Sequence, residues 1–456
     1  MELKDKELLI VGFGRTGEAV CRFALDRGAR ITISEKRSAD ELEEALARWH
    51  SQGVRFETGG HDRASFLTSD LIVPSPGVPP LPSLEAARER GIPVLSEVEL
   101  ASRFLKGRIV GITGSNGKST VTTLTHRILE EAGLPASLAG NIGSPLIGFV
   151  DSSRDDHIYV TELSSFQLAF TDTLRPEVAV FLNISPDHLD WHPDFKDYFT
   201  SKQRILSRLT RDEAAVLNRD DPLVWGLKDS GPFQTLGFSL QGRVTPGCYA
   251  SQGLIMLASG DRTDEVLPVG DIPLLGRHNQ ENVMAAALTC HALGVPLLRI
   301  KSGIRGFKAL EHRLEKVLTL DGVDIYNDSK ATNVDATLKS LESFSQPIVL
   351  ILGGRDKGGN FQMLREPVRS RVKGIVILGE AAPLIFSALQ GTVPMERAAT
   401  IRDAVRTAHS LAAPGDVVLL APACTSFDMF RSFEHRGKVF KQEVLSLQQD
   451  REEAAE

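Results

Sequence analysis

RIVGITGSNGKST, residues 108–120, decides the reading of this 456-residue chain. An apolar strand, RIV, runs into a Gly-rich turn. The helix that follows carries Val121, Leu124, Thr125 and Ile128 at helical spacing. Glycines let the backbone turn its N–H groups inward, and a helix N-terminus adds positive potential, so the turn predicts a phosphate cradle. Lys118 would reach the β- and γ-phosphates, and Ser119 or Thr120 would offer a hydroxyl to Mg²⁺. One position departs from the common G-x-x-x-x-G-K-[ST] pattern. That pattern asks for glycine at 112, where this chain has Ile112; its glycines stand at 111 and 114.

Outward from this loop, strand and helix patterns alternate in three segments, the signature of α/β domains built on parallel sheets. The first opens with ELLIVGFG, continues through ARITISE and ends in the loop-forming DLIVPSPGVPP. The second runs from the phosphate loop through HIYVTELSS and VAVFLNIS. Between about 215 and 275 it gives way to alternating segments such as GCYASQGLIMLASG, which read as antiparallel strands, before the helix NQENVMAAALTCHALG. The third contains VDIYNDS, PIVLILGGRDKGG, GIVILG and DVVLLAPAC. The expected architecture is three α/β domains: a Rossmann-like domain at 1–97, a P-loop ATPase-type domain with a mixed sheet at 98–309, and a Rossmann-like domain at 310–456. The charged tail from Gln448 is expected to fray.

Composition removes several function classes. Net charge is −7 with no basic block, which argues against a nucleic-acid partner. No apolar run approaches the roughly 18–20 residues of a membrane-spanning helix. LLIVGFG near the N-terminus reads as a first strand and its turn rather than a signal peptide. Cys21, Cys248, Cys290 and Cys424 lie far apart with no CxxC spacing, so neither a disulfide framework nor a thiolate metal site is expected. The balance fits a reducing cytoplasm.

Other motifs carry chemistry. GFGRTG (Gly12 to Gly17), with Glu35 ending the next strand, has the dinucleotide fingerprint, yet the same geometry serves any pyrophosphate, including that of a UDP-sugar. Glu162, ending HIYVTE, can approach Mg²⁺ across from the phosphate loop. Asp187, His188, Asp190 and His192 follow VAVFLNIS, and any of them could bind metal. A helix starting from Pro193 places Phe195, Tyr198, Phe199, Leu206 and Leu209 on one stripe, with Lys202 in its middle. That lysine either snorkels outward or is desolvated, which would lower its pKa and free a neutral amine. In the third segment polar residues again end the strands: Asn327 to Lys330, GGRDKGG with Lys357, and Cys424 to Ser426, while Arg313 suits phosphate or carboxylate.

Read in order, TGSNGKST, ELSSFQL, NISPDHLD, GRHNQENVMAA, HRLE, NDSKATN, GGRDKGG and APACTSFD resemble the Mur ligases over nearly the whole chain. GNIGSPL, NDSKATN and APACTSFDMFRSFEHRG look most like the members that add D-glutamate. TGSNGKST is that family's own form of the phosphate loop, which accounts for Ile112. The resemblance implies an ATP-dependent, ADP-forming amide ligase of peptidoglycan precursor synthesis, and hence of cell wall biogenesis, cell shape and division. Its substrates would be UDP-N-acetylmuramoyl-L-alanine and D-glutamate, joined through an acyl phosphate, in a cytoplasmic monomer.

By matching position, Lys118, Glu162, His188 and Lys202 would be catalytic. Gly114, Asn116, Gly117, Lys118, Ser119, Thr120, Asn279, Asn282, Arg313 and Asp328 would bind ATP. Gly14, Arg15, Thr16, Glu35, Lys36, Arg37, Ser75, Gly77, Asn141 and His188 would hold the UDP substrate, and Lys330, Thr332, Lys357, Ser426 and Phe433 would surround D-glutamate. Ser119, Glu162, His188 and Lys202 would serve two Mg²⁺ ions, Lys202 as a carbamate. Lys36 replaces a small hydroxyl residue of the family pattern beside the uracil site. Rival readings are another Mur-type ligase, a folylpolyglutamate synthase-like enzyme, an NAD(P)-dependent oxidoreductase and a P-loop switch. The oxidoreductase accounts only for residues 1–97, and a switch has no need of a second metal site.

Overall fold

The structure, a computed structural model, describes residues 1–455. The chain forms two compact units. Met1–Ile184, Trp191–Val269 and Asn282–Arg305 make the first, and Ser185–Asp190, Gly270–Glu281 and Gly306–Glu456 the second. Among the described residues no helix is long and apolar enough to cross a membrane.

The first unit holds two sheets. Strands β1 (Glu7–Val11), β2 (Arg30–Glu35), β3 (Arg55–Thr58) and β4 (Leu71–Pro74) run parallel in the order β3-β2-β1-β4. Leu8 to Val11 are buried because helices cover both faces, so β1 reads as a continuous apolar run. The helix Arg15–Leu25 lies close against β1, and a Cβ at Gly17 would collide with the Gly12 carbonyl. That close approach is what the last glycine of GFGRTG permits.

The second sheet has nine strands: β5 (Arg108–Thr113), β6 (Ala136–Gly140), β7 (Ile158–Glu162), β8 (Val178–Phe181), β9 (Ala214–Asn218), β10 (Gln234–Ser239), β11 (Gly247–Ser251), β12 (Leu254–Ser259) and β13 (Arg262–Pro268). Their order is β13-β12-β11-β10-β9-β8-β5-β7-β6. The antiparallel expectation holds for β11 to β13, whereas β9 and β10 continue the parallel sheet. Buried AAVLN in β9 has no alternation to show its direction. The helix expected from Pro193 starts two residues later, at Phe195, because the Asp194 carboxylate accepts the Asp197 N–H (2.8 Å) and makes Asp194 the cap.

In the second unit, β14 (Glu315–Leu320), β15 (Val323–Asn327), β16 (Ile348–Gly353), β17 (Val372–Leu378), β18 (Met395–Arg397) and β19 (Val417–Leu420) are ordered β14-β15-β19-β16-β17-β18, with only the β14–β15 pair antiparallel. The tail expected to fray is helical to Ala455. Val444 and Leu447 are buried on it, and Glu443 and Asp450 pair with Arg402 and Arg406 of the neighbouring helix Ile401–Leu411.

Two buried carboxylates fasten the helix Glu97–Ser102, which leads from the first sheet to the second. Glu99 accepts the N–H groups of Asp172, Thr173 and Leu174 (2.9 to 3.0 Å), the Thr173 hydroxyl and Arg103. Glu97 accepts the Ile147 N–H at 2.6 Å. Burial pushes the Glu97 carboxyl up to about 7, only partly offset by the Ile147 and Leu146 N–H groups. A raised acid favours the folded state most when protonated. Its contribution is complete below the unfolded value of about 4.3 and is lost as pH rises through about 7. Glu97→Gln stays neutral throughout. Its melting temperature relative to wild type is therefore expected to climb between pH 5 and pH 8, and a pH-independent difference in thermal scans would refute burial as the cause.

Candidate active site

The phosphate loop takes its shape from both sides. Ile112 is fully buried in β5, where an aliphatic side chain contributes about 1.5–3 kcal/mol that glycine would forgo. The turn therefore begins at Gly114. Gly117 caps the helix Lys118–Glu131 in the left-handed conformation (φ 87°), and a Cβ there would collide with Asn282 Oδ1. Asn183, just beyond β8, grips the loop: its carbonyl accepts from Ser115 N (3.0 Å), its Oδ1 from Asn116 N (2.9 Å), and its Nδ2 donates to Asn116 O (3.1 Å). Ser119 and Thr120 lie buried in the first helical turn. Lys118 Nζ donates to the carbonyls of Gly114 (2.9 Å) and Ser115 (2.8 Å).

Lys202 does not snorkel. It is 1% exposed, its Nζ donates to the Gly114 carbonyl at 2.8 Å, and it stands 4.7 Å from the centre of the Tyr198 ring. Tyr198 in turn shares a hydrogen bond with Ser115 Oγ (2.9 Å), so the stripe that looked purely apolar reaches the loop through a hydroxyl. Glu162 ends β7, paired in register with Ile112 of β5, and so stands at the sheet edge where the phosphate loop begins. Its Oε1 accepts from Asn141 Nδ2 at 2.8 Å. The Ser119 hydroxyl and the Glu162 carboxylate are hard oxygen donors, a set that suits Mg²⁺. Among the described residues no three His, Cys, Asp or Glu side chains form a metal cluster. Mg²⁺ commonly relies on one or two carboxylates with substrate phosphates and water, so these residues fit it.

Of the four polar residues after VAVFLNIS, His192 is held structurally: buried, with Nδ1 at 2.6 Å from Asp197 and Nε2 at 2.9 Å from Ser165 Oγ. His188 belongs to the second unit, as do Asp187 and Asp190. It adopts φ 55°, a strained value for a non-glycine residue. Asp187 accepts the His188 N–H (2.9 Å) and Asn333 Nδ2 (3.1 Å), and lies 3.6 Å from Lys357 Nζ.

In the N-terminal fingerprint, Glu35 acts as a brace. It accepts the N–H groups of Phe13 (2.7 Å) and Arg37 (3.1 Å) and the Arg37 guanidinium (2.9 Å). Partial burial would raise its carboxyl, but the Arg37 and Phe13 hydrogen bonds outweigh it and hold the group at about 2. Ser75 Oγ donates to Gly12 O (2.9 Å). Gly14, Arg15, Lys36, Arg37 and Gly77 are exposed and Thr16 is half-buried; the Arg15 guanidinium donates to the carbonyl of Gly143, beside Asn141.

In the second unit, Arg313 is flanked by His312 (φ 65°) and Leu314 (φ 45°). Their backbone is pinned by His312 N to Glu315 (2.9 Å), Leu314 N to Asp328 (3.3 Å) and Lys330 N to His312 O (3.1 Å). Burial lifts the Asp328 carboxyl to about 6, against the Ser340 hydroxyl, the Arg313 charge and the Leu314 N–H. Lys330 Nζ lies 3.7 Å from the centre of the Phe433 ring, Thr332 N donates to Lys330 O, and Ser426 is buried. Asn279 and Asn282 share the helix Arg277–Ala292, with Asn279 Nδ2 donating to Leu275 O (2.6 Å). The sequence reading missed Asn183 and the Tyr198 hydroxyl. Only the strand-end position of Asn183 could have marked one of them.

Sequence models of three domains match the chain: the Mur ligase MurD-like N-terminal domain at residues 6–96, the Mur ligase middle domain at 112–290, and the Mur ligase glutamate ligase domain at 312–424. UDP-N-acetylmuramoylalanine–D-glutamate ligase of Acidobacterium capsulatum is 46% identical over 98% of this chain and 97% of its own. The enzyme of that name from Koribacter versatilis is 44% identical over 98% and 99%. Among solved structures, a pseudomurein peptide ligase type C from Methanothermus fervidus aligns with TM-score 0.62 at 18% identity, covering 97% of this chain and all of its own. MurF ligase from Thermotoga maritima in complex with ADP aligns at 0.61 and 17%, covering 98% and 96%. These last two similarities establish a shared fold.

Gly117→Ala tests the loop. A left-handed alanine costs about 1–2 kcal/mol, and its methyl group must displace Asn282. Calorimetry with a non-hydrolysable nucleoside triphosphate is expected to show at least tenfold weaker binding. Gly133→Ala, equally left-handed but facing open space at the far end of the helix, should bind normally. Unchanged affinity in Gly117→Ala counts against the loop as the nucleotide site.

Proposed function

The chain belongs to the Mur ligase family, and we propose that it joins D-glutamate to UDP-N-acetylmuramoyl-L-alanine at the expense of ATP in peptidoglycan precursor synthesis. The observation that carries this reading is the phosphate loop with the buried Lys202 bonded to it, set in a chain 40–46% identical to eight ligases of that name.

A carboxylate has no adequate leaving group. An alanine carboxylate oxygen therefore attacks the γ-phosphorus of ATP, releasing ADP and leaving an acyl phosphate. The D-glutamate amine adds to that carbonyl, and the tetrahedral intermediate expels phosphate and loses a proton to form the amide. Catalysis of this kind rests on positioning and charge stabilisation. Lys118 and the first-turn N–H groups, including those of Ser119 and Thr120, receive phosphate oxygens, while Gly114, Asn116 and Gly117 shape the cradle. Asn279, Asn282, Arg313 and Asp328 hold the nucleotide. Mg²⁺, when bound, neutralises charge on the transferring phosphoryl group. Ser119, Glu162, His188 and Lys202 are the residues assigned to two such ions.

The UDP substrate falls to Gly14, Arg15, Thr16, Lys36, Arg37, Ser75, Gly77, Asn141 and His188, with Glu35 bracing the loop. D-Glutamate falls to Lys330, Thr332, Lys357, Ser426 and Phe433. Lys202 is the residue assigned a carbamate. Carbon dioxide adds to a neutral amine, and this side chain is 1% exposed, with its Nζ bonded to the Gly114 carbonyl. We keep domain boundaries of 1–97, 98–309 and 310–456 as proposals, together with a cytoplasmic location and a monomeric state.

Purified protein given ATP, Mg²⁺ and UDP-N-acetylmuramoyl-L-alanine should release phosphate with D-glutamate alone among tested amino acids. Release with a different amino acid would keep the ligase and replace its substrate; none at all would return weight to a nucleotide switch. Lys202→Ala is expected to lose at least 100-fold in kcat, with partial recovery in acetate or formate as carboxylate surrogates. Full activity in that variant would remove Lys202 from the mechanism.

A further inference from the structure

Behind the loops that carry Lys330, Lys357 and Ser426 lies a guanidinium. Arg436, in the first turn of the helix Phe433–Ala455, is 2% exposed. It donates to five neutral oxygens. Nε reaches Ser329 Oγ (2.9 Å), Nη2 reaches Ser329 O (2.9 Å) and Cys424 O (3.1 Å), and Nη1 reaches Thr425 O (3.2 Å) and Gly353 O (3.4 Å). These acceptors lie on three separate chain segments, after β15, at the end of β16 and after β19. Ser329 Oγ also donates to Phe433 O at 2.8 Å, which ties the start of the helix into the same knot.

A buried cation is ordinarily matched by a carboxylate. Here four carbonyl oxygens and a hydroxyl accept every hydrogen bond, with the Asp428 carboxylate adding only its charge, and a planar fork with five N–H donors can satisfy such acceptors in several directions at once. Burial pulls the Arg436 pKa down to about 10, so the group stays charged at neutral pH and keeps all its donors. An ammonium offers three donors from a single point and cannot span acceptors on three segments. Each acceptor is within a few residues of a side chain assigned to D-glutamate: Ser329 precedes Lys330, Gly353 precedes Lys357 by four positions, and Thr425 precedes Ser426.

We propose that Arg436 is a positioning residue for the amino-acid substrate, fixing the mutual spacing of the three strand-end loops that present Lys330, Lys357 and Ser426. The inference rests on the assignment of those residues to D-glutamate. Shifts of about an ångström in a binding group cost far more in substrate capture than in overall stability.

Steady-state kinetics on the full chain separate this role from a merely structural one. In Arg436→Lys, KM for D-glutamate should rise at least tenfold, while KM for ATP and for the UDP substrate stay within twofold and kcat within threefold. Adding guanidinium chloride at 10–50 mM to Arg436→Ala, roughly the range in which a small cation fills a side-chain cavity without denaturing the chain, should bring the D-glutamate KM back towards wild type. An unchanged D-glutamate KM in Arg436→Lys, or all three KM values rising together, overturns the proposal. Should neither variant fold, Ser329→Ala removes the hydroxyl that accepts from Arg436 Nε, together with that hydroxyl's own bond to Phe433 O, with about a threefold rise in the D-glutamate KM expected and no change counting as refutation. Wild-type turnover with D-glutamate is the control. If it is absent, the assignment of substrate fails rather than the role of Arg436.

Discussion

Two lysine side chains end on one carbonyl oxygen, that of Gly114, and much of the first unit is arranged around that meeting. Lys118 comes from the helix that the phosphate loop opens, and Lys202 from a helix whose sequence lies more than 80 residues further on. The parallel pairing of β5 with β8 brings Asn183 against Ser115 and Asn116 and so shapes the loop whose carbonyl both lysines reach. The parallel register of β5 with β7 then sets Glu162 at the same edge. Sheet pairing, loop shape and the placement of a buried amine thus depend on one another, and loosening any one disturbs all three.

The same device recurs in the second unit with the charges rearranged. There the strand-end loops are held from behind by a cation bonded to carbonyls, and the strained turn at His312 to Leu314 is held by carboxylates bonded to N–H groups.

Much of this was legible in the sequence. The phosphate loop, the alternation of strand and helix, the acid at Glu162 and the lysine within an apolar stripe all lie in short windows, where spacing alone reports structure. What escaped were partners distant in the chain. Periodicity places Tyr198 on an inward face, but it does not reveal that its hydroxyl meets Ser115, or that Arg436 reaches Ser329, Gly353 and Cys424. His188 and His192 look alike four residues apart. Only the hydrogen bonds of His192 to Asp197 and Ser165 show that it is committed to the fold. The helix starts after Asp194 rather than at Pro193 because the Asp194 carboxylate can accept an N–H and so caps it. The parallel direction of β9 escaped the sequence reading, since a strand buried on both faces carries no alternation to read.

Glu99 bears on how this chain can be dissected. One carboxylate, wholly enclosed, collects three successive N–H groups from residues 172–174, so the helix that carries it is welded to the second sheet although the chain reaches it directly from the first. The natural seam for separating the first sheet as a fragment therefore falls ahead of Ser96, whose hydroxyl caps that helix. A fragment cut a few residues later would carry an orphaned anion away with it and leave the remainder with a groove of unanswered amides.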